Sequence, residues 1–232
     1  MAFQVRHFQS GPLQTASFHV SHFHAGPFQT NSYLIHSGDK AVVVDPAPDS
    51  FNEIVRQVQD DHLELQALWV THSHWDHMAD SFKFLENYGV AVCVHQLDAE
   101  NVEFPGKDGV PTWQVIQGVK PSSLLQDQDL LYVGESVWQV IHTPGHSPGS
   151  ACFYQKEQKV LFSGDVLFRG TCGNVSFPTS SPALMADSLE KLLLLPEETR
   201  VFPGHGPETI LRNEVSWMRE LKEVLRSDES NG

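Results

Sequence analysis

Short apolar runs set off by polar or turn residues recur along the chain, at 41–44, 67–70, 91–94, 137–141, 160–162 and 200–202. They are rich in β-branched and aromatic side chains and too short for helices, which predicts buried strands. Segments 18–20 and 32–35 predict two more. Between them the period changes. Phe51, Ile54, Val55 and Val58 fall at helical spacing behind a candidate cap at Asp49 or Ser50. Met78, Phe82 and Leu85 mark a second helix. Pro182 suits a first helical turn, with Leu184, Met185, Leu189 and Leu192 on one face. Leu211, Val215, Met218, Leu221 and Leu225 form a last amphipathic helix. Strands and helices mixed in this way predict an α/β sandwich.

Residues 96–130 break the pattern. Pro105-Gly106, Asp108-Gly109 and Pro111 interrupt a polar stretch that carries Phe104 and Trp113. A long irregular insertion is expected there, either a surface excursion or a lid over a site. With no repeat and no linker, residues 1–232 read as a single domain.

Composition narrows the possible functions. The chain is 40% hydrophobic and 19% charged, which excludes disordered and fibrous classes. Its 29 carboxylates against 15 Lys and Arg give a net charge of −14, which repels phosphate backbones and argues against nucleic acid as a partner. The three cysteines are widely spaced and form neither a zinc-type pair nor a disulfide framework, as expected of a reducing compartment. No apolar run reaches a membrane span, and residues 1–7 lack the apolar stretch of a signal peptide. The expected setting is cytoplasmic, without a membrane partner.

Histidine stands out, with 13 residues, and the densest cluster is Thr71-His72-Ser73-His74-Trp75-Asp76-His77. In an extended segment, residues two apart share a side, so His72, His74 and Asp76 project together, and His77 can swing across where a helix begins. Imidazole and carboxylate suit divalent zinc, iron or manganese. Four such groups crowd a single tetrahedral ion, so two ions sharing a site are the more natural expectation. His146, Asp165 and His205 each stand beside a glycine, just past the ends of apolar strands. Loops at one sheet edge converge, and α/β proteins place their sites there.

Together, His72-x-His74-x-Asp76-His77, the His146 loop, Asp165 and His205 resemble the ligand motifs of the metallo-β-lactamase superfamily, in the same order. Four segments are similar to glyoxalase II-like hydrolases: Gln29-Thr30-Asn31-Ser32-Tyr33, Val44-Asp45-Pro46-Ala47, His142-Thr143-Pro144-Gly145-His146-Ser147-Pro148-Gly149-Ser150 and Pro203-Gly204-His205-Gly206-Pro207. The resemblance implies a four-layer αβ/βα sandwich holding two divalent ions, zinc first, with iron or manganese as alternatives. It implies that His72, His74 and His146 bind one ion, that Asp76, His77 and His205 bind the other, and that Asp165 bridges. His77 and Asp165 stand where β-lactamases with a cysteine ligand usually carry Arg and Cys. His142 is expected to orient the His146 loop, and Asp45 to support a ligand histidine or shape a strand-end turn. Cys172 reads as a packed residue, and His22, His24, His36 and His95 as structural.

Two divalent ions, two carboxylates and a bridging hydroxide leave the implied site with a small positive charge. Such a site makes hydroxide available at neutral pH and stabilises an oxyanion, while Asp76 holds the hydroxide's orientation. A thiolate leaving group, with a pKa near ~8.5, needs little protonation, whereas an amide nitrogen needs an acid that the motifs do not show. Thioesters and activated esters are therefore expected over peptides, and the resemblance implies a small thioester such as S-D-lactoylglutathione. Two features depart from the glyoxalase II pattern. Asn174 stands where a basic residue usually helps to hold glutathione, with Arg169 either a replacement anion contact or a solvated surface residue, and only a short segment follows His205. The alternatives are a persulfide dioxygenase with one iron on His72, His146 and Asp165, a lactonase, and a metal-binding module without turnover.

Overall fold

The structure is a computed structural model and describes residues 17–229; the N-terminal residues read for a signal peptide lie outside them. Two six-stranded sheets lie face to face. The first runs β1 (His19–Ala25), β2 (Thr30–Ser37), β3 (Lys40–Val44), β4 (Glu64–Val70), β5 (Ala91–His95) and β6 (Ser123–Leu125) in spatial as in chain order. The second holds β7 (Leu130–Val133), β8 (Ser136–His142), β9 (Ala151–Gln155), β10 (Val160–Gly164), β11 (Arg200–Pro203) and β12 (Thr209–Ile210), likewise in order. Strands β3 to β6 pair in parallel, as do β10 and β11, and the remaining neighbours are antiparallel. Helices α1 (Phe51–Asp60), α2 (Trp75–Met78), α3 (Ser81–Tyr88) and α4 (Ala99–Glu103) belong to the first half of the chain. Helices α5 (Pro182–Leu192) and α6 (Val215–Glu229) belong to the second.

Strand alternation divides the apolar side chains into three cores. Tyr33 and Ile35 face the inter-sheet core with Trp69, Trp138, Phe153 and Phe162. Leu34, between them, faces the opposite way, with Ile54, Leu68, Met78 and Phe84 under the helices. On the far side, Leu161 and Val201 pack with Met185, Leu189 and Met218 of α5 and α6. Both faces of each sheet are thus buried, which is why the strands read as continuous apolar runs. The expected four-layer αβ/βα sandwich is the fold observed.

Several elements differ from the sequence expectation. Strands β6, β7, β9 and β12 were not among the expected strands; β6 and β12 are too short to be marked by composition, whereas β7 and β9 are apolar runs of the same kind as the others. The second helix splits into α2 and α3. Neither Asp49 nor Ser50 caps α1 through its side chain; the Asp80 carboxylate, from between α2 and α3, accepts from the Phe51 amide at 3.0 Å. Leu211 lies in a short 3-10 turn, Leu211–Asn213, ahead of α6. The 96–130 insertion contains α4 and β6.

Candidate metal centre

The ends of β4, β8, β10 and β11 bring the predicted ligands together. Thr71 leaves β4 with its amide and hydroxyl both donating to the Asp45 carboxylate, each at 2.7 Å. The chain then passes His72 and His74 before turning into α2, which carries Asp76 and His77. His146 follows β8, Asp165 follows β10 and His205 follows β11. All but His205 are buried; it is three-quarters so.

Three sets of ligand atoms close to within 4.8 Å: His72 with His74 and His146; His72 with His77 and Asp165; and Asp76 with His77 and His205. Asp165 lies between the outer two sets. Its Oδ2 is 3.4 Å from His146 Nε2 and 3.5 Å from His205 Nε2, and its Oδ1 is 3.3 Å from His77 Nε2. Asp76 Oδ2 is 3.3 Å from His205 Nε2. The seven sequence-predicted residues thus converge on one place.

The ring orientations are set from behind. His146 Nδ1 donates to the Asn174 carbonyl at 2.8 Å, so its Nε2 faces the cluster. His77 Nδ1 donates to Asp45 at 2.9 Å, so its Nε2 does the same. Thr30 Oγ1 donates to Asp76 Oδ2 at 2.9 Å. Such partners fix tautomer and direction, as they do behind metal ligands generally.

The donor chemistry fits cations. His72 Nε2, His74 Nε2 and Asp165 Oδ1 are buried without hydrogen-bond partners, a costly state for polar atoms unless something else satisfies them. Burial, and then the neighbouring imidazoles, push His72 and His74 well below the ordinary histidine range, leaving them neutral and able to ligate. Burial opposes the charging of His77, but Asp165, Asp76 and Asp45 outweigh it and raise its pKa to about 10. His205 is raised against burial by Asp76 and Asp165. Asp76, despite burial, is held well below the carboxylate range by His77 and His205. The carboxylates therefore create a strong demand for positive charge among buried imidazoles.

Other residues act one layer out, and the sequence reading missed most of them. Buried Asp98 accepts from the Ser73 amide at 2.8 Å, Ser147 Oγ at 2.7 Å and the Gly149 amide at 2.6 Å. It ties the His72–His77 segment to the His146 loop. Asn101 donates to the Ser73 carbonyl and to Asp108, whose carboxylate lies 3.7 Å from His74 Nε2. Asn31 donates to the carbonyls of Pro203 and Gly206 at 2.9 and 2.8 Å, and the Tyr33 hydroxyl also donates to Pro203, which holds the His205 loop. The Gln29–Tyr33 motif carried that signal; Asp98, Asn101 and Asp108 have no local motif.

Asp45 accepts from His77, one of the candidate ligands, and also shapes the strand end, its carbonyl accepting from the Ala47 amide at 2.8 Å. His142 steadies the His146 loop by donating to the Pro148 carbonyl at 2.9 Å, and His95 stacks on it at 3.9 Å. Cys172 is half-buried, and burial pushes its thiol up to about 11, consistent with a packed residue. His22 bonds to Asn31, and His36 stacks on His19. Arg169 is an exposed surface residue: its guanidinium donates to the Glu208 carbonyl and lines a separate cavity with Arg200 and Trp217.

Above the cluster opens a cavity of about 300 Å³. Asp76, His146, Asp165 and His205 form its floor; Phe28, Trp75, Phe168, Asn174 and Phe177 stand in its walls. Val110, Pro111 and Trp113 close one side, so the insertion is part of the site.

A family model described as the metallo-beta-lactamase superfamily matches residues 25–205. The chain is 33% identical over 180 residues to the "Probable metallo-hydrolase YqgX" of Bacillus subtilis, covering 76% of this chain and 85% of that one. It is 29% identical over 181 residues to the hydroxyacylglutathione hydrolase GloC of Haemophilus influenzae, covering 75% and 84%. Among solved structures, BLEG-1 B3 metallo-beta-lactamase superposes with a TM-score of 0.80 at 33% identity, covering 88% of this chain and 99% of that one. TTHA1623 in a di-iron-bound form superposes with a TM-score of 0.76 at 36% identity, covering 84% and 97%. With the sandwich and the converging ligand motifs, these matches make the chain a member of the metallo-β-lactamase superfamily.

Proposed function

We propose that this protein is a two-metal hydrolase of small thioesters, of the glyoxalase II type. The observation that carries the reading is the pair of ligand sets with Asp165 between them. In this reading His72, His74 and His146 would hold one ion and Asp76, His77 and His205 the other, with Asp165 available to both. Zinc is the first expectation, with iron or manganese as alternatives; the di-iron form of TTHA1623 supports two ions without deciding their identity for this chain.

When bound, the ions supply Lewis acidity and a water whose pKa falls toward neutrality. The chain supplies the rest. Asp76, ionised and held through one oxygen by Thr30, orients the attacking water and is the candidate catalytic residue. The floor of the cavity positions the acyl carbonyl. Apart from the cluster itself, the lining contains, among the described residues, no titratable side chain to protonate a leaving group. A thiolate leaves without one, with a pKa near ~8.5, whereas an ordinary amide nitrogen does not. The similarity to hydroxyacylglutathione hydrolase GloC supports the same class.

The likeness to BLEG-1 favours a second reading, hydrolysis of a β-lactam, whose strained amide lowers the demand for an acid. The setting we propose is cytoplasmic, supported by three unpaired cysteines. Among the described residues, no helix is long and apolar enough to cross a membrane. The test is a panel assayed on metal-quantified protein: acyl thioesters, a lactone, a chromogenic cephalosporin and, with oxygen uptake, glutathione persulfide. Thioester turnover without oxygen consumption, reaching its maximum at two ions per chain, is the expected result. Full activity with one ion, or turnover confined to another arm, overturns the reading.

A further inference from the structure

Resting on the thioester reading, we propose that the thiol half of the substrate is apolar and uncharged, and that Phe28, Trp75 and Trp113 select it. The three rings come from distant parts of the chain: the β1–β2 turn, the start of α2 and the 96–130 insertion. They nevertheless form one wall. The Phe28 and Trp113 ring centroids are 4.5 Å apart at 70°, and those of Phe28 and Trp75 are 5.4 Å apart at 56°. Phe177 stands 5.1 Å from the His74 ring and Phe168 5.9 Å from the His205 ring, both also lining the cavity.

This wall is incompletely covered. Phe28 is 39% exposed and Trp113 70%, while Trp75 is buried and backs Phe28. An apolar ligand laid against them removes aromatic surface from water, at roughly 25 cal/mol per Å², and adjacent exposed aromatics above a cluster of polar groups are the usual form of a ligand site. The cavity, at about 300 Å³, lies at the small end of the range of ligand sites.

Charge points the same way. Among the described residues, no Lys or Arg lines the cavity. Arg169 is engaged on Glu208 elsewhere, and the chain carries a net charge of −14. An anionic peptide thiol such as glutathione meets no counter-charge in the wall and is repelled at a distance. An aromatic or branched aliphatic thiol meets rings.

The experiment uses the metal-loaded full chain and three D-lactoyl thioesters that differ only in the thiol: glutathione, phenylmethanethiol and methanethiol. The expected kcat/KM for the phenylmethanethiol ester is at least about tenfold above that for the glutathione ester. Trp113→Ala, an exposed position whose loss spares the core, should lower kcat/KM for the phenylmethanethiol ester by about tenfold through KM, and by much less for the methanethiol ester. Equal or better turnover of the glutathione ester overturns the proposal while leaving the thioesterase reading intact. So does an equal loss on both esters in the variant. If no thioester is turned over, tryptophan fluorescence decides. Saturable quenching by benzyl ethyl sulfide but not by S-ethylglutathione sustains the apolar selection and removes only the thioesterase reading; the reverse order overturns the selection.

Discussion

Asp45 Oδ2 lies 2.9 Å from His77 Nδ1, and this contact decides which nitrogen of the ring faces the other ligands. The same carboxylate accepts from the Thr71 amide and hydroxyl, so it is fixed before His77 meets it. Asp45→Asn keeps the shape but cannot accept from all three donors. We expect affinity for the ion at Asp76, His77 and His205 to fall about 10–100-fold, with the fold retained. A chelator-competition titration checks this, and unchanged affinity would show that His77 is oriented by something else.

Asp98 joins two ligand loops through three buried donors. Asp98→Ala leaves those donors unpaired, at about 1–3 kcal/mol each with partial relaxation, so a loss of about 3–5 kcal/mol is expected in urea unfolding. A loss below about 1 kcal/mol would mean that the loops hold each other without it.

Gly204 is required by close approach. A Cβ there would fall against Asp165 Oδ1 and 2.6 Å from His77 Cε1. Gly204→Ala should fold, by circular dichroism, yet bind fewer than two ions. Gly206→Ala is the contrast: its φ of +73° makes alanine strained, by about 1–2 kcal/mol, but no atom lies within 4 Å of the added carbon. It should lose stability and keep its metal. The opposite ranking of metal content would refute the steric account.

Burial, reinforced by the adjacent His142, lowers His95 from 6.5 to about 4. Its Nδ1 accepts from the Leu97 amide at 3.4 Å, as a neutral ring can. Between those two values the unfolded chain binds a proton at this residue that the folded chain refuses. Stability therefore falls as pH drops through that window, and this residue adds nothing further once the pH is below the folded value. His95→Gln should flatten the dependence of unfolding free energy on pH across the window. An equally steep profile would assign the acid sensitivity to other groups.

Asn174 lines the cavity, and its main-chain carbonyl, not its side chain, receives His146. Asn174→Arg should therefore leave the His146 orientation in place while adding a cation to the wall. One charge-assisted contact is worth about 1.5–3 kcal/mol when aligned, or roughly tenfold or more in affinity. KM for a glutathione thioester should fall accordingly in steady-state assays. No change would mean that residue 174 does not face the thiol.

Much of this was legible in the chain because it is local. Parallel strands buried on both faces must be apolar throughout, so β3, β4, β5 and β10 announce themselves. A ligand cluster packed into His72–His77, and glycines beside His146, Asp165 and His205, mark positions where backbone and donor requirements coincide in sequence. Strand β9 is an apolar run too, but its place between β8 and β10 follows only from pairing with both.

Which residues support the ligands is a matter of long-range packing. Asp98 reaches Ser73 and Ser147 across separations of 25 and 49 residues, and Asn31 reaches Pro203 across 172. No local spacing encodes such contacts, because hydrogen bonding is satisfied wherever folding brings donor and acceptor together. The same holds for the wall made by Phe28, Trp75 and Trp113, and for Arg169, whose charge could be counted in the sequence but whose direction depended on finding the Glu208 carbonyl. The apolar runs mark the layers, and the histidine and carboxylate motifs mark the candidate ligand set, because burial and donor chemistry act residue by residue. The shape and charge of the cavity emerge only when distant loops meet at one sheet edge.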